Sequence, residues 1–156
     1  MADTAATLDE RELEAWRGFI RTHAVLIARL DADLQRRHRL PLSSYEVLLF
    51  LDKAPERRLR MAELASSVLL SPSGITRLVD RLVEDGLVRK ERCALDRRGF
   101  HAVLTEAGAE RFREARCTHL AGVREQFLDR LTVAQQESLG GIWRALDPDG
   151  VPLDVA

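Results

Sequence analysis

Residues 71–86 constrain the fold of this chain more than any other stretch. Ser71-Pro72-Ser73-Gly74 reads as a helix start. The serine hydroxyl can accept from an unpaired amide, and proline at the first helical position lacks an N–H that would have no partner there. From that start Ile75, Leu78, Val79, Leu82 and Val83 recur at i, i+3, i+4, i+7 and i+8, which places them on one buried stripe. Thr76, Arg77, Asp80, Arg81 and Glu84 fall on the outward face. Gly86 follows, where a helix commonly ends on a left-handed residue.

The flanking segments place this helix in an ordered series. Met61, Leu64, Ala65 and Val68 mark a short helix before it, with a tight turn at 68–70 between the two. After it, Leu87–Glu91 and Phe100–Leu104 bracket Asp96-Arg97-Arg98-Gly99, a β-hairpin with a basic tip. Residues 53–58, with Pro55 inside, read as a loop. Upstream, Ser43 and Glu46 form the pattern of a capping box for a helix whose apolar face is Tyr45, Leu48, Leu49 and Leu51.

Long helices occupy both ends. Leu13, Trp16, Ile20, His23, Ile27, Leu30 and Leu34 make a heptad-like stripe behind a Thr7/Glu10 capping box, and basic residues 36–39 and Pro41 close it. Thr105 caps a fifth helix carrying Phe112, Leu120, Val123, Phe127 and Leu131. Thr132 and Gln135 box a sixth, with Leu139, Ile142, Trp143 and Leu146, ended by Pro148. These terminal helices hold more apolar surface than a small winged unit needs, which predicts a homodimer. The fold expected is mainly α with a small β-hairpin wing. It is a winged helix-turn-helix lobe over 43–104, with dimerisation helices over 7–40 and 105–147, in a single unit spanning 1–156.

Composition narrows the function classes. Aromatic residues are only 5% of the 156, which favours helices over a β-sandwich. The net charge is −1, yet residues 86–101 alone carry +3, so the basic charge is gathered at the hairpin. Cys93 and Cys117 have no metal-type spacing, and His23, His38, His101 and His119 form no ligand set with carboxylates or cysteines. Glycine-rich phosphate loops and nucleophile elbows are absent, so no enzyme chemistry, metal or cofactor is expected. With no long apolar run and a polar start, the expectation is a cytoplasmic protein with no membrane partner.

A helix-turn-helix followed by a basic hairpin suits double-stranded DNA. Ser71, Ser73, Thr76, Arg77 and Arg81 are the side-chain types that contact base edges and phosphates from a helix in the major groove. Arg97 and Arg98 at a thin loop tip suit the narrow, negative minor groove. A lone helix with Arg77 and Arg81 beside Asp80 and Glu84 would read as a solvated face, and the ordered combination overrides that reading. The competing class is a winged-helix protein-interaction module that does not read sequence.

The sequence resembles the MarR family of bacterial regulators. The likeness lies in Met61-Ala62-Glu63-Leu64-Ala65, in Leu70 to Leu82, in Glu84-Asp85-Gly86-Leu87-Val88, in Asp96-Arg97-Arg98 and in Leu104-Thr105-Glu106-Ala107-Gly108. It implies a two-fold dimer built by the first, fifth and sixth helices, with the fourth helix in the major groove. It also implies Arg98 as the minor-groove finger and Asp96 as its brace. Two helices about 34–36 Å apart would then require a pseudo-palindromic operator. The resemblance further implies repression relieved by a small aromatic or anionic effector bound between the dimer region and the DNA lobe.

Trp16, His23, Tyr45 and Glu46 are the candidate effector pocket. Urate-responsive members are similar in having an N-terminal tryptophan and an acid at the start of the second helix, with Asp where this chain has Glu46. For Trp16 and His23 the alternative is core or dimer packing, and Glu46 has its capping-box role. Peroxide-sensing members use a cysteine near the start of the first helix, where this sequence has none.

Overall fold

The structure, a computed structural model, describes residues 7–68, 72–93 and 99–147. Among them the order is α1 (Glu10–His38), α2 (Leu42–Lys53), β1 (Arg58–Arg60), α3 (Met61–Ser67), α4 (Pro72–Glu84), β2 (Val88–Arg92), β3 (Phe100–Leu104), α5 (Glu106–Gln126) and α6 (Val133–Leu146). The sheet is antiparallel with β3 in the centre. This is the expected mainly helical winged architecture, with one strand more than a hairpin.

That strand corrects the reading of 53–58 as loop. Pro55–Arg57 forms a single 3-10 turn and the chain then pairs Arg58 with Val103, Leu59 with Ala102 and Arg60 with His101. Three residues carry no readable period; the pairing exists because β3 has a free edge to offer.

Two helix starts also differ from expectation. In α1 the capping box is formed by Asp9 and Glu12 rather than Thr7 and Glu10. The Asp9 carboxylate accepts the Glu12 N–H at 2.8 Å, and Glu12 accepts the Asp9 N–H at 2.8 Å. Two carboxylates at the positive end of the helix suit its dipole. In α2 the Ser43/Glu46 box does not form, because the helix begins one residue earlier, behind Pro41. The Leu42 amide donates instead to Oδ1 of Asp31 on α1, at 2.8 Å. The caps expected elsewhere do form: Thr105 accepts from Gly108 as a simple N-cap, and Thr132 and Gln135 cap α6 reciprocally.

The core gathers Leu34, Leu48, Leu49, Leu51, Leu64, Ile75, Val79 and Leu82, each at most 1% exposed. Val83, expected on the buried stripe of α4, is 37% exposed; Ile75, Leu78, Val79 and Leu82 already fill the space. Of the α1 stripe only Leu30 and Leu34 are buried, against α5. There Gly122 lets the helices approach, since a Cβ on it would lie 2.9 Å from Leu30 Cδ2. His38 Nε2 meets Thr118 Oγ1 at 2.7 Å, Arg111 donates to the His38 carbonyl at 2.8 Å, and Gln126 donates to Asp33 at 3.0 Å. The rest of the stripe faces outward: Trp16, Ile20 and Ile27 are exposed, as are Ile142, Trp143 and Leu146 on α6.

Candidate nucleic-acid interface

The outer face of α4 presents Ser73, Thr76, Arg77 and Arg81, all exposed, with Asp80 between them. What aims this face is the burial of Ile75, Leu78, Val79 and Leu82 on the other side of the same helix. Ser71, the expected N-cap, lies outside the described residues.

Beyond α4 the chain turns at Gly86, whose φ of 73° is the left-handed value that favours glycine. The Gly86 N–H reaches the Val83 carbonyl at 3.0 Å and the Leu87 N–H reaches Leu82 at 2.9 Å, the two bonds of a Schellman ending. β2 then runs alongside, and Lys90 pairs with Asp80, tying the wing to the outer face of α4. The two strands stay together to their tips, where the Cys93 N–H donates to the Gly99 carbonyl at 2.9 Å. Asp96, Arg97 and Arg98, the expected wing-tip residues, lie outside the described residues. Their point of attachment at Cys93 and Gly99 does not.

Further cations stand near this face: Arg89 and Arg92, which sequence reading counts only toward the basic charge of 86–101, and Arg60, which it does not single out. Arg89 pairs with Glu91 at 2.6 Å, and the Arg92 guanidinium sits 6.0 Å from the Phe100 ring centre. Arg60, at the start of α3, shares the lining of a cavity of about 380 Å3 with Met61, Thr76, Lys90, Cys93 and Phe100. It belongs to the face only because β1 carries it there. Cys93 is 8% exposed and, like Cys117, is a free thiol.

The four pocket candidates fall into two groups within the protomer. Trp16 is 57% exposed and its ring neighbours Phe19 at 6.1 Å; Phe19 in turn neighbours His23 at 6.3 Å and Trp143 of α6 at 5.7 Å. Tyr45 is buried, its ring 5.4 Å from Phe112 and 4.6 Å from His119 on α5. Asp31 marks where α1 meets the start of α2. Trp16 therefore lies roughly 22 Å, and His23 roughly 12 Å, along the α1 axis from that junction. Tyr45 and Glu46 lie close to it.

The second group is electrostatically unusual. Burial pushes the Tyr45 phenol up to about 12, with Arg116 pulling the other way. Burial also raises the Glu46 carboxyl and lowers the His119 imidazole. The Tyr45 hydroxyl and His119 Nδ1 are buried without a hydrogen-bond partner among the described residues. Phe112, Arg116 and His119 were not singled out with Tyr45 in sequence, because nothing local relates α5 to α2.

Among the described residues there is no group of His, Cys, Asp and Glu placed to hold a metal, and no helix is long and apolar enough to cross a membrane.

Comparison with known proteins gives a consistent picture. A family model described as MarR family matches residues 39–99. No curated protein matches the chain. Among solved structures, Sco3205 from Streptomyces coelicolor, a MarR family transcriptional regulator in complex with DNA, is 39% identical. The match covers 93% of this chain and 91% of that one, with a TM-score of 0.86. AbsC, a MarR family transcriptional regulator from the same organism, is 36% identical over 92% and 95% of the two chains, with a TM-score of 0.84. A mutant MarR from E. coli complexed with operator DNA shares the fold at 20% identity, over 90% and 99% of the chains, with a TM-score of 0.77. With the helix-turn-helix, the three-stranded wing and full-length likeness to regulators above 30% identity, the chain belongs to the MarR family of transcriptional regulators.

Proposed function

We propose that this chain acts as a homodimeric repressor that reads a pseudo-palindromic operator in double-stranded DNA and releases it when a small aromatic or anionic effector binds. The observation that carries the reading is the exposed Ser73, Thr76, Arg77 and Arg81 face of α4, held to the wing by Asp80 and Lys90. The DNA complex of Sco3205, at 39% identity, supports it. Ser71 at the start of α4 and Arg97 and Arg98 at the wing tip complete the contact set, with Asp96 bracing the tip. The reading lobe is 43–104.

The dimer is proposed through α1, α5 and α6. Trp16, Phe19, Ile20, Ile142 and Trp143 are exposed together, and each of these large apolar side chains, about half in water, forgoes roughly 1 kcal/mol of burial. The effector site is proposed around Tyr45 and Glu46, where buried polar groups remain unpaired. Trp16 and His23 join it only if a second protomer brings them there.

The test is fluorescence anisotropy on the duplex upstream of the chain's own gene against a scrambled duplex, over a salt series. Selective binding with a steep salt slope is expected. Arg77→Ala should cost about 1–3 kcal/mol in a sequence-dependent way, and Arg98→Ala should weaken all duplexes and flatten the slope. Equal, weak, slope-free binding to both duplexes would sink the proposal and bring the protein-interaction reading forward.

A further inference from the structure

The recognition helix α4 and the arm helix α5 meet at one joint, and its bonds are unusual for a helix cap. The Schellman ending of α4 leaves the carbonyls of Gly86 and Leu87 directed away from the helix. Thr105, the N-cap of α5, takes both: its hydroxyl lies 2.8 Å from Gly86 O and 3.0 Å from Leu87 O, and its N–H donates to Leu87 O at 3.1 Å. The same hydroxyl oxygen accepts the Gly108 N–H at 3.0 Å. On the far side of the Leu87 peptide stands Gly108, where a Cβ would fall 2.1 Å from Leu87 O and 2.8 Å from Leu104 Cδ1. An N-cap serves its own helix with the acceptor alone. Here the donor is committed to the end of another helix, and a glycine is required for the two to close.

We propose that Thr105 and Gly108 are positioning residues that fix the direction of the recognition helix relative to α5, and through it the separation of the two recognition helices in the dimer. Other ties between lobe and arm are less constraining: the Tyr45 ring on Phe112 and His119 is a ring contact without a hydrogen bond and can slide, and Arg57 meets Glu106 at 3.3 Å as an exposed ion pair between long side chains. The Thr105 joint is directional. A methyl at 108 would force the Leu87 carbonyl back by more than about 1 Å, from 2.1 Å, to reach an ordinary contact. α4 has 13 residues. Pivoted about one turn from the joint, it would carry a 1 Å shift to its far end as roughly 4 Å, close to one base-pair step.

This inference rests on the DNA-reading proposal, so the experiment has one arm that needs no DNA. Ser73, at the end of α4 far from the joint, and Glu114 on α5, both exposed, are replaced by cysteine for spin labels in a Cys93→Ser, Cys117→Ser background. Labelled chain is mixed with excess unlabelled chain, and the distance within one chain is measured by pulsed electron resonance. The parent and Thr105→Ser should give one narrow distribution. Thr105→Val, which keeps the shape and loses the hydroxyl, should broaden it, and Gly108→Ala should shift it by several Å. The second arm measures affinity for operators whose half-site spacer is lengthened or shortened by one base pair. The parent and Thr105→Ser should prefer one spacer by tenfold or more, and Thr105→Val should lose most of that preference while keeping its dimer mass. Unchanged distances in both folded variants would overturn the joint, and changed distances with an intact spacer preference would overturn its role in reading. A parent that binds no operator selectively would strike the DNA-reading proposal, and the distance arm would still decide the joint.

Discussion

Replacing Asp31 tests the structure at a place where local sequence logic points elsewhere. The start of α2 has Pro41 at the cap position and no side-chain cap of its own, so the Leu42 N–H depends on the half-buried Asp31 carboxylate at 2.8 Å. Hydrogen bonds to charged groups contribute about 1.5–3 kcal/mol, and loss of an N-cap side chain costs about 0.5–2 kcal/mol. Asp31 sits inside α1, so Asp31→Ala also recovers up to about 0.7 kcal/mol of helix propensity. The net expectation is a loss near 1 kcal/mol, or roughly 2–4 °C in Tm for a chain of this length. Asp31→Asn keeps an acceptor oxygen and should lose about half of that. Ser43, the residue that the capping-box pattern selects, lies within the first turn of α2 and caps nothing. Ser43→Ala should therefore be neutral or gain a few tenths of a kcal/mol. The assay is urea unfolding followed by far-UV circular dichroism at one fixed protein concentration, because the proposed dimerisation would link stability to concentration. A Ser43→Ala loss equal to or larger than that of Asp31→Ala would refute the reasoning.

Two further outcomes follow from burial. His119 is held below its usual value of 6.5 by burial, so the folded chain resists a proton that the unfolded chain accepts. Its contribution is complete above about pH 6.5 and is lost as pH falls through the folded value. His119→Gln should flatten the acid limb of a stability-versus-pH curve, and an unaltered limb would contradict the assignment. Glu46, raised by burial, acts in the opposite sense, contributing below its unfolded 4.5 and losing that as pH rises, so Glu46→Gln should stabilise at neutral pH. At the proposed dimer face, Phe19 is 45% exposed in the protomer, so Phe19→Glu should leave the protomer folded while shifting sedimentation from dimer to monomer. A variant that sediments as wild type would remove this face from the interface.

What the sequence determined by itself are the features whose causes lie within a turn or two of chain. The stripe of α4, the left-handed Gly86, the bounds of β3 and the Thr132/Gln135 box are each set by residue types and spacings within a few positions along the chain. The outward face of α4 was legible for the same reason, since the stripe that buries one side aims the other. Tertiary structure decided where a backbone group finds its partner once helices are packed. Asp31 serves Leu42 across 11 residues and Thr105 serves Gly86 across 19, and neither separation has a period to betray it. β1 exists because β3 had an edge to satisfy, and it brings Arg60 beside Thr76 and Lys90. Packing likewise left Val83 outside a filled core and set Trp16 and His23 apart from Tyr45 and Glu46. Local hydrogen bonding and amphipathicity are written along the chain, whereas the satisfaction of polar groups between elements waits for the elements to meet.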